Sequence, residues 1–240
     1  MNLKFVCSYD GSLFQGSQKQ PNGLTVEDKL LKAFKKINIE TNIVLSGRTD
    51  KEVHATGQVF NCLVPDYWED FFKLKEVLNK NLPSSIKIIK ISKVSESFHS
   101  RFHGKKRVYR YLITTKPTTP FNDKFITYVK NVDEEVVKKA IKEFIGIHDF
   151  KYFHKTGSDK ELTTREIFST SFYKYKDIYV FRFEANSYLR SQIRLMVGFL
   201  LAINDKKLTI EDLKKQLNLE KNIFKTPAKA NGLYLAKIKY

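Results

Sequence analysis

Nine consecutive residues gather most of the chemistry that a short loop can hold: Gly47, Arg48, Thr49, Asp50, Lys51, Glu52, Val53, His54 and Ala55. They supply two basic side chains, two carboxylates, a hydroxyl and an imidazole. A carboxylate beside cations can move protons or stabilise a developing positive charge. The same composition also describes a solvated charged turn, where Asp is ordinary. Two other segments bear on the choice. Arg107, Tyr109 and Tyr111 alternate, so on a strand they share one face, with Val108, Arg110 and Leu112 on the other. Such a face either grips phosphate and stacks a base, or is an amphipathic strand with aromatic core contacts. Arg190 and Arg194 are four apart on an expected helix, off its apolar stripe. Two guanidiniums so placed repel unless an anion or carboxylate is near. A buried Arg needs a carboxylate partner, and Asp50 is a candidate. Six of the eight arginines lie in these places, namely Arg48, Arg101, Arg107, Arg110, Arg190 and Arg194. In a chain that otherwise uses Lys, this concentration points to a need for fork geometry.

Other chemistries drop out. Gly11 to Ser17 has P-loop-like glycine spacing but no Lys to reach phosphate. His99 and His103 are four apart without an intervening Glu, in a segment that reads as extended. There is no G-x-S-x-G elbow, and neither Cys7 nor Cys62 has a nucleophile context. No metal and no cofactor is expected.

The elements that must position these residues follow from patterning. Thr25 opens a capping box, and Val26, Leu30, Phe34 and Ile37 recur at helical spacing. Further helices are expected over 70–81, from Asp133 to a stop at Gly146, over 187–204 and over 210–217. Strands are expected over 3–9, 42–46, 58–64, 86–94, 108–115, 166–175, 178–185 and 233–239, with a tight connection at Lys176 and Asp177. Each half therefore reads β-α-β-β-α-β, the ferredoxin-like order. The expected fold is α+β, with two such halves joined around a central, mostly antiparallel sheet and a cleft between them. The N-terminal half, 1–104, carries the Asp50 loop. The C-terminal half, 105–240, carries the Tyr111 strand and the Arg194 helix.

Composition narrows the partner. The net charge is +17, shared almost evenly as +9 over 1–120 and +8 over 121–240. A folded body with that excess attracts nucleic acid or an acidic membrane face, unless it is simply a solvated Lys-rich surface. The longest apolar run, Met196–Ile203, is too short to span a bilayer, so no membrane partner is expected. Met1–Asp10 holds no extended apolar stretch that would read as a secretory leader. Two cysteines without disulfide density suit a reducing, cytoplasmic location.

Taken together, the chain resembles the tRNA pseudouridine synthase A family nearly from end to end. The resembling segments are Tyr9-Asp10-Gly11 with Phe14 and Gly16, the 47–55 loop, Phe98–Phe102, Arg107–Tyr111, Arg194–Gly198, and Pro227 with Gly232–Leu235. The resemblance implies an isomerase that turns uridine into pseudouridine within structured RNA, in the anticodon stem-loop of tRNA. It implies no cofactor or metal, and a homodimer with RNA spanning both subunits. Asp50 matches the catalytic aspartate, acting at the ribose either by attacking C1′ or by taking a proton at C2′. Arg194 matches the Arg that pairs with and orients it. Tyr111 matches the Tyr that stacks on the target base and helps proton transfer at C5. Arg48 matches the Arg that fills the space of the flipped nucleotide, since a base inside a stem must be extruded. Leu233 matches a residue walling the pocket. Thr49, Lys51, His54, Arg101, Arg107, Tyr109 and Arg190 are candidate RNA contacts.

Three positions depart from the family pattern. Glu52 stands where Gly is usual, so a left-handed backbone there would strain or reshape the loop. Ser17 stands where an aromatic is usual, and Arg190-Ser191 where His or aromatics are common. All three are expected near the RNA path. They keep two alternatives open: the same reaction on ribosomal RNA or another stem-loop, and a non-catalytic RNA-binding module of the same fold.

Overall fold

Among the described residues, ten strands and five α-helices form. In chain order these are β1 (Asn2–Tyr9), α1 (Val26–Lys35), β2 (Val44–Leu45), β3 (His54–Leu63), α2 (Phe71–Asn81), β4 (Ile86–Lys93), β5 (Lys106–Thr114), β6 (Thr127–Tyr128), α3 (Glu134–Ala140), β7 (Gly146–Asp149), β8 (Thr164–Tyr175), β9 (Ile178–Ala185), α4 (Gln192–Asn204), α5 (Ile210–Leu217) and β10 (Leu233–Lys239). The computed structural model describes residues 1–21, 23–155 and 162–240. They divide into two units, Met1–Lys105 with Tyr234–Tyr240, and Lys106–Leu233.

The first unit follows the expected order, β1-α1-β2-β3-α2-β4. Its strands lie as β4-β1-β3, and β2 and β10 both border β3. β1 is antiparallel to β3 and β4, and β2 is antiparallel to β3. β10 is parallel to β3, with Tyr234 opposite His54. Because β2 spans only Val44–Leu45 and pairs near Asn61, the start of β3 is left for β10. Helix α1 begins at a complete capping box: Thr25 accepts from the Asp28 N–H and Asp28 accepts from the Thr25 N–H. Its buried face, Val26, Leu30, Ala33 and Phe34, packs on the sheet. Phe34 meets Phe5 edge-on at 5.5 Å, and Phe5 stacks on Phe60 at 4.7 Å. Cys7 and Cys62 belong to this core, and burial pushes both thiols up to about 12.

The second unit carries β5, α3, β8, β9, α4 and α5 in the expected sequence, with β6 and β7 added. Its sheet runs β5-β9-β8-β7, antiparallel throughout, with β6 parallel to β5. Lys176, at φ 54°, turns the β8–β9 hairpin as the Lys176-Asp177 connection required. Phe144, Phe153, Phe181, Phe183 and Phe199 are fully enclosed and form the core with α4, which is buried on nearly every side.

Three element boundaries move by four residues or more. Helix α3 gives way after Ala140 to a 3-10 turn over Ile141–Phe144. β3 starts at His54, four residues before expectation, because its first residues pair with distant β10. Helix α4 starts at Gln192, five residues after expectation. Side chains divert the backbone before it. Asn186 Oδ1 accepts from Ser187 N–H, Gln192 Oε1 accepts from Leu189 N–H, and Ser191 is left-handed at φ 58°. Arg190 and Arg194 therefore do not share a helix face. No helix among the described residues is long and apolar enough to cross a membrane.

Candidate active site

The Asp50 loop sits in the first unit between β2 and β3, held from beneath by its backbone. Gln58, fully buried on β3, donates from Nε2 to the Gly47 carbonyl at 2.7 Å and accepts from the Gly47 N–H at 3.3 Å. Ser17 makes a second clamp. Its Oγ accepts from the Thr49 N–H at 2.9 Å, and its own N–H donates to the Thr49 carbonyl at 3.1 Å. The Thr49 hydroxyl bonds the Tyr9 hydroxyl at 2.8 Å. Every polar group of Thr49 is thus bonded inward, and the residue is only 7% exposed. Thr49 fixes the loop and does not face outward as an RNA contact. The Val53 N–H closes the turn on the Asp50 carbonyl at 3.2 Å, and Asp50 itself is half-buried. Arg48, Lys51 and Glu52 are exposed. Lys51 and Glu52 are 3.9 Å apart on the surface, an ion pair of little weight.

Glu52 adopts φ 65°. The position does need a left-handed backbone, and Glu supplies it at a cost in strain. Gly11 shows how closely this loop is approached: a Cβ there would lie 2.0 Å from the Val53 carbonyl oxygen. Ser17 is fully buried, so its side chain meets the backbone of the Asp50 loop and not solvent.

His54 lies in the core, 1% exposed. Its Nδ1 accepts from the Gly11 N–H at 3.0 Å and lies 3.4 Å from Asp10, and its ring stacks on Tyr234 at 4.7 Å. An accepting Nδ1 places the neutral ring's proton on Nε2. The ring braces the loop's exit and is not a surface side chain. Burial, and next the Asp10 carboxylate, push the Tyr234 phenol up, so it stays protonated.

In the second unit, Tyr111 on β5 is wholly enclosed. Its hydroxyl donates to the Lys229 carbonyl at 2.9 Å and lies 2.8 Å from Thr127 Oγ1. Burial pushes the phenol up to about 12, opposed in part by the Thr127 hydrogen bond and the Arg194 charge. Arg194 lies on the first turn of α4. Its Nε donates to the Ala228 carbonyl at 2.8 Å, while its own carbonyl accepts from the Ala228 N–H at 2.8 Å. The stretch from Ala228 to Gly232 therefore anchors both side chains. A Cβ at Gly232 would lie 2.9 Å from the Tyr111 ring, so only Gly lets the segment pass. Thr127 and Lys229 were not singled out from sequence. The resemblance at Gly232 was the one local signal of this anchor.

The remaining candidates are spread out. Arg107 donates from Nη1 to the Asn186 carbonyl at 2.8 Å. Tyr109 is 8% exposed and meets Tyr188 edge-on at 5.2 Å. Tyr109 therefore makes an aromatic core contact. Arg101 is exposed on a turn beside Phe102. Arg190 is exposed, and its carbonyl accepts from the Lys155 N–H. Leu233 is buried at the start of β10, its N–H on the Ala230 carbonyl.

A family model described as tRNA pseudouridine synthase matches residues 6–103 and 140–240. The tRNA pseudouridine synthase A of Wolinella succinogenes is 38% identical over 232 residues, covering 97% of this chain and 92% of its own. That of a Campylobacter jejuni strain is 38% identical over 240 residues, covering 100% of both chains. That of Helicobacter pylori is 35% identical over 242 residues, covering 99% of each.

Proposed function

Since the chain belongs to the tRNA pseudouridine synthase A family, we propose that it isomerises uridine to pseudouridine in tRNA, within the anticodon stem-loop. The N-glycosidic bond breaks, the uracil turns, and a bond forms between C1′ and C5. The C5 proton leaves and N1 gains one, so atoms balance without a co-reactant. Loss of the base builds positive character on the sugar, which a fixed carboxylate stabilises. Asp50 is that carboxylate, acting at C1′ or C2′. Tyr111 supplies the aromatic ring for the base, Arg194 the fixed guanidinium, and Arg48 the side chain that takes the place of the extruded nucleotide.

The observation that carries this reading is full-length similarity together with an intact Asp50 loop. Glu52 takes the left-handed backbone that the loop requires, so this departure leaves the loop shape in place. That favours an active enzyme over a non-catalytic module of the same fold. The broad positive charge supports RNA as the partner, gripped through phosphates and shape. The same reading carries a homodimer and a cytoplasmic location, which sedimentation and cell fractionation test.

The direct assay is tritium release from tRNA labelled at uridine C5, joined to pseudouridine mapping in a deletion strain. Release in vitro and loss of pseudouridine confined to anticodon arms are expected. Loss confined to ribosomal RNA would contradict the substrate, and no release from any RNA would contradict the reaction.

A further inference from the structure

One surface turn in the first unit combines an exposed aromatic ring, cations and a rigid base. Ser100 is its anchor, with no exposed surface. The Ser100 N–H donates to Asn61 Oδ1 at 2.8 Å, its hydroxyl donates to the Val44 carbonyl, and its carbonyl accepts from the Tyr240 hydroxyl at 2.9 Å. The turn closes with the His103 N–H on the His99 carbonyl at 3.0 Å. Both imidazoles are used within it: His99 Nδ1 accepts from the Phe102 N–H at 3.2 Å, and His103 Nδ1 accepts from the His99 N–H at 3.3 Å. This framework presents Phe102, which is 75% exposed. The His99 ring stacks on it at 4.2 Å and 26°, and the Arg101 guanidinium carbon lies 5.9 Å from its centroid.

A single exposed apolar side chain is ordinary on a protein surface. Phe102 differs in being held on a turn whose backbone is already bonded, so engaging it costs little ordering entropy. Its chain neighbours within the first unit are cationic as well: Arg101 and Lys105 flank it beside His99 and His103, and the nearest acidic residue in the sequence is Glu96. An aromatic face among cations suits a nucleobase attached to phosphates. An apolar protein partner would be poorly served by this charge.

We propose that the His99–Phe102 pair, with Arg101, is a stacking platform for an unpaired nucleotide of the RNA substrate, separate from the Asp50 loop. This rests on the tRNA reading above. Stacking on Phe102 contributes sequence-tolerant affinity, and Arg101 contributes a phosphate contact.

The test uses the full chain and an unmodified tRNA transcript, with binding measured at several salt concentrations. Phe102→Ala should weaken binding on the order of tenfold and leave the salt dependence unchanged. Arg101→Ala should lower the salt slope by about one. Phe102→Trp should retain affinity. Combined with Trp68→Phe, which leaves the introduced indole as the only one, its emission should be quenched when RNA binds. Wild-type binding by Phe102→Ala, or an unquenched indole in an RNA-saturated protein, overturns the platform. Unchanged RNA binding with altered self-association in sedimentation would show a protein contact and also overturn it. The two readings fail distinguishably. If the wild-type chain neither binds nor isomerises tRNA, the function falls and the platform with it. If the wild type is active and Phe102→Ala matches it, the platform alone falls.

Discussion

Ser17→Ala removes one hydrogen-bond acceptor from beneath the Asp50 loop and little else. In the native protein the Thr49 N–H donates to Ser17 Oγ at 2.9 Å, and both residues are enclosed, at 7% and 0% exposure. The substitution leaves that N–H buried without its acceptor. An orphaned buried donor costs about 1–3 kcal/mol. The cavity left by one oxygen is too small to admit water that could replace it. The reciprocal bond from Ser17 N–H to the Thr49 carbonyl survives, so the loop should stay closed but less well fixed. Asp50 follows Thr49 directly. A displacement of about 1 Å at a reacting group can lower turnover by roughly a hundredfold. Urea unfolding should therefore show a midpoint lowered by that free energy with an unchanged m-value, since the exposed area on unfolding is the same. Tritium release should show kcat falling more than KM rises. Stability within about 0.5 kcal/mol of wild type with unaltered kcat would refute the clamp.

Other perturbations read different parts of the structure. Glu52→Gly relieves a left-handed backbone worth roughly 1–2 kcal/mol, less about 0.5–1 kcal/mol for added chain flexibility. It should thus be as stable as wild type or slightly more so, while the β-branched Glu52→Val should be less stable; urea midpoints rank the three. Tyr111, held near 12 in the fold, binds its proton where the unfolded phenol, with its ordinary value of 10.0, has lost it. Its stability contribution is full below pH 10 and falls as pH rises toward 12. Tyr111→Phe should flatten that part of the stability profile, as measured by denaturation at stepped alkaline pH. Arg194→Lys keeps the charge but loses the planar donor that Nε presents to Ala228. Single-turnover release should slow on the order of a hundredfold, with RNA affinity nearly unchanged.

What the sequence made legible was mostly local. The capping box at Thr25 and Asp28, the hairpin at Lys176 and the amphipathic α5 depend on neighbours a few residues away, and all three form as read. The Asp50 loop stood out because its residue types are unusual together. Its supports did not. Ser17 reads from sequence only as a departure near the RNA path; its role as a buried acceptor depends on an N–H 32 residues away. The Tyr111 hydroxyl is fixed by a carbonyl 118 residues onward. Main-chain acceptors carry no side-chain signature, so no residue pattern announces them. His54 read as a loop side chain because the pairing of β3 with β10 is set by a strand at the far end of the chain. Arg190 left its helix because Asn186 and Gln192 side chains outcompeted one turn of helical hydrogen bonds.

The central claim is that Asp50 performs the chemistry at the sugar. Asp50→Ala, assayed by tritium release from C5-labelled tRNA alongside tRNA binding, tests it most directly. The account predicts no release in a folded protein that still binds tRNA with affinity close to wild type. Release at the wild-type rate from that variant would contradict it.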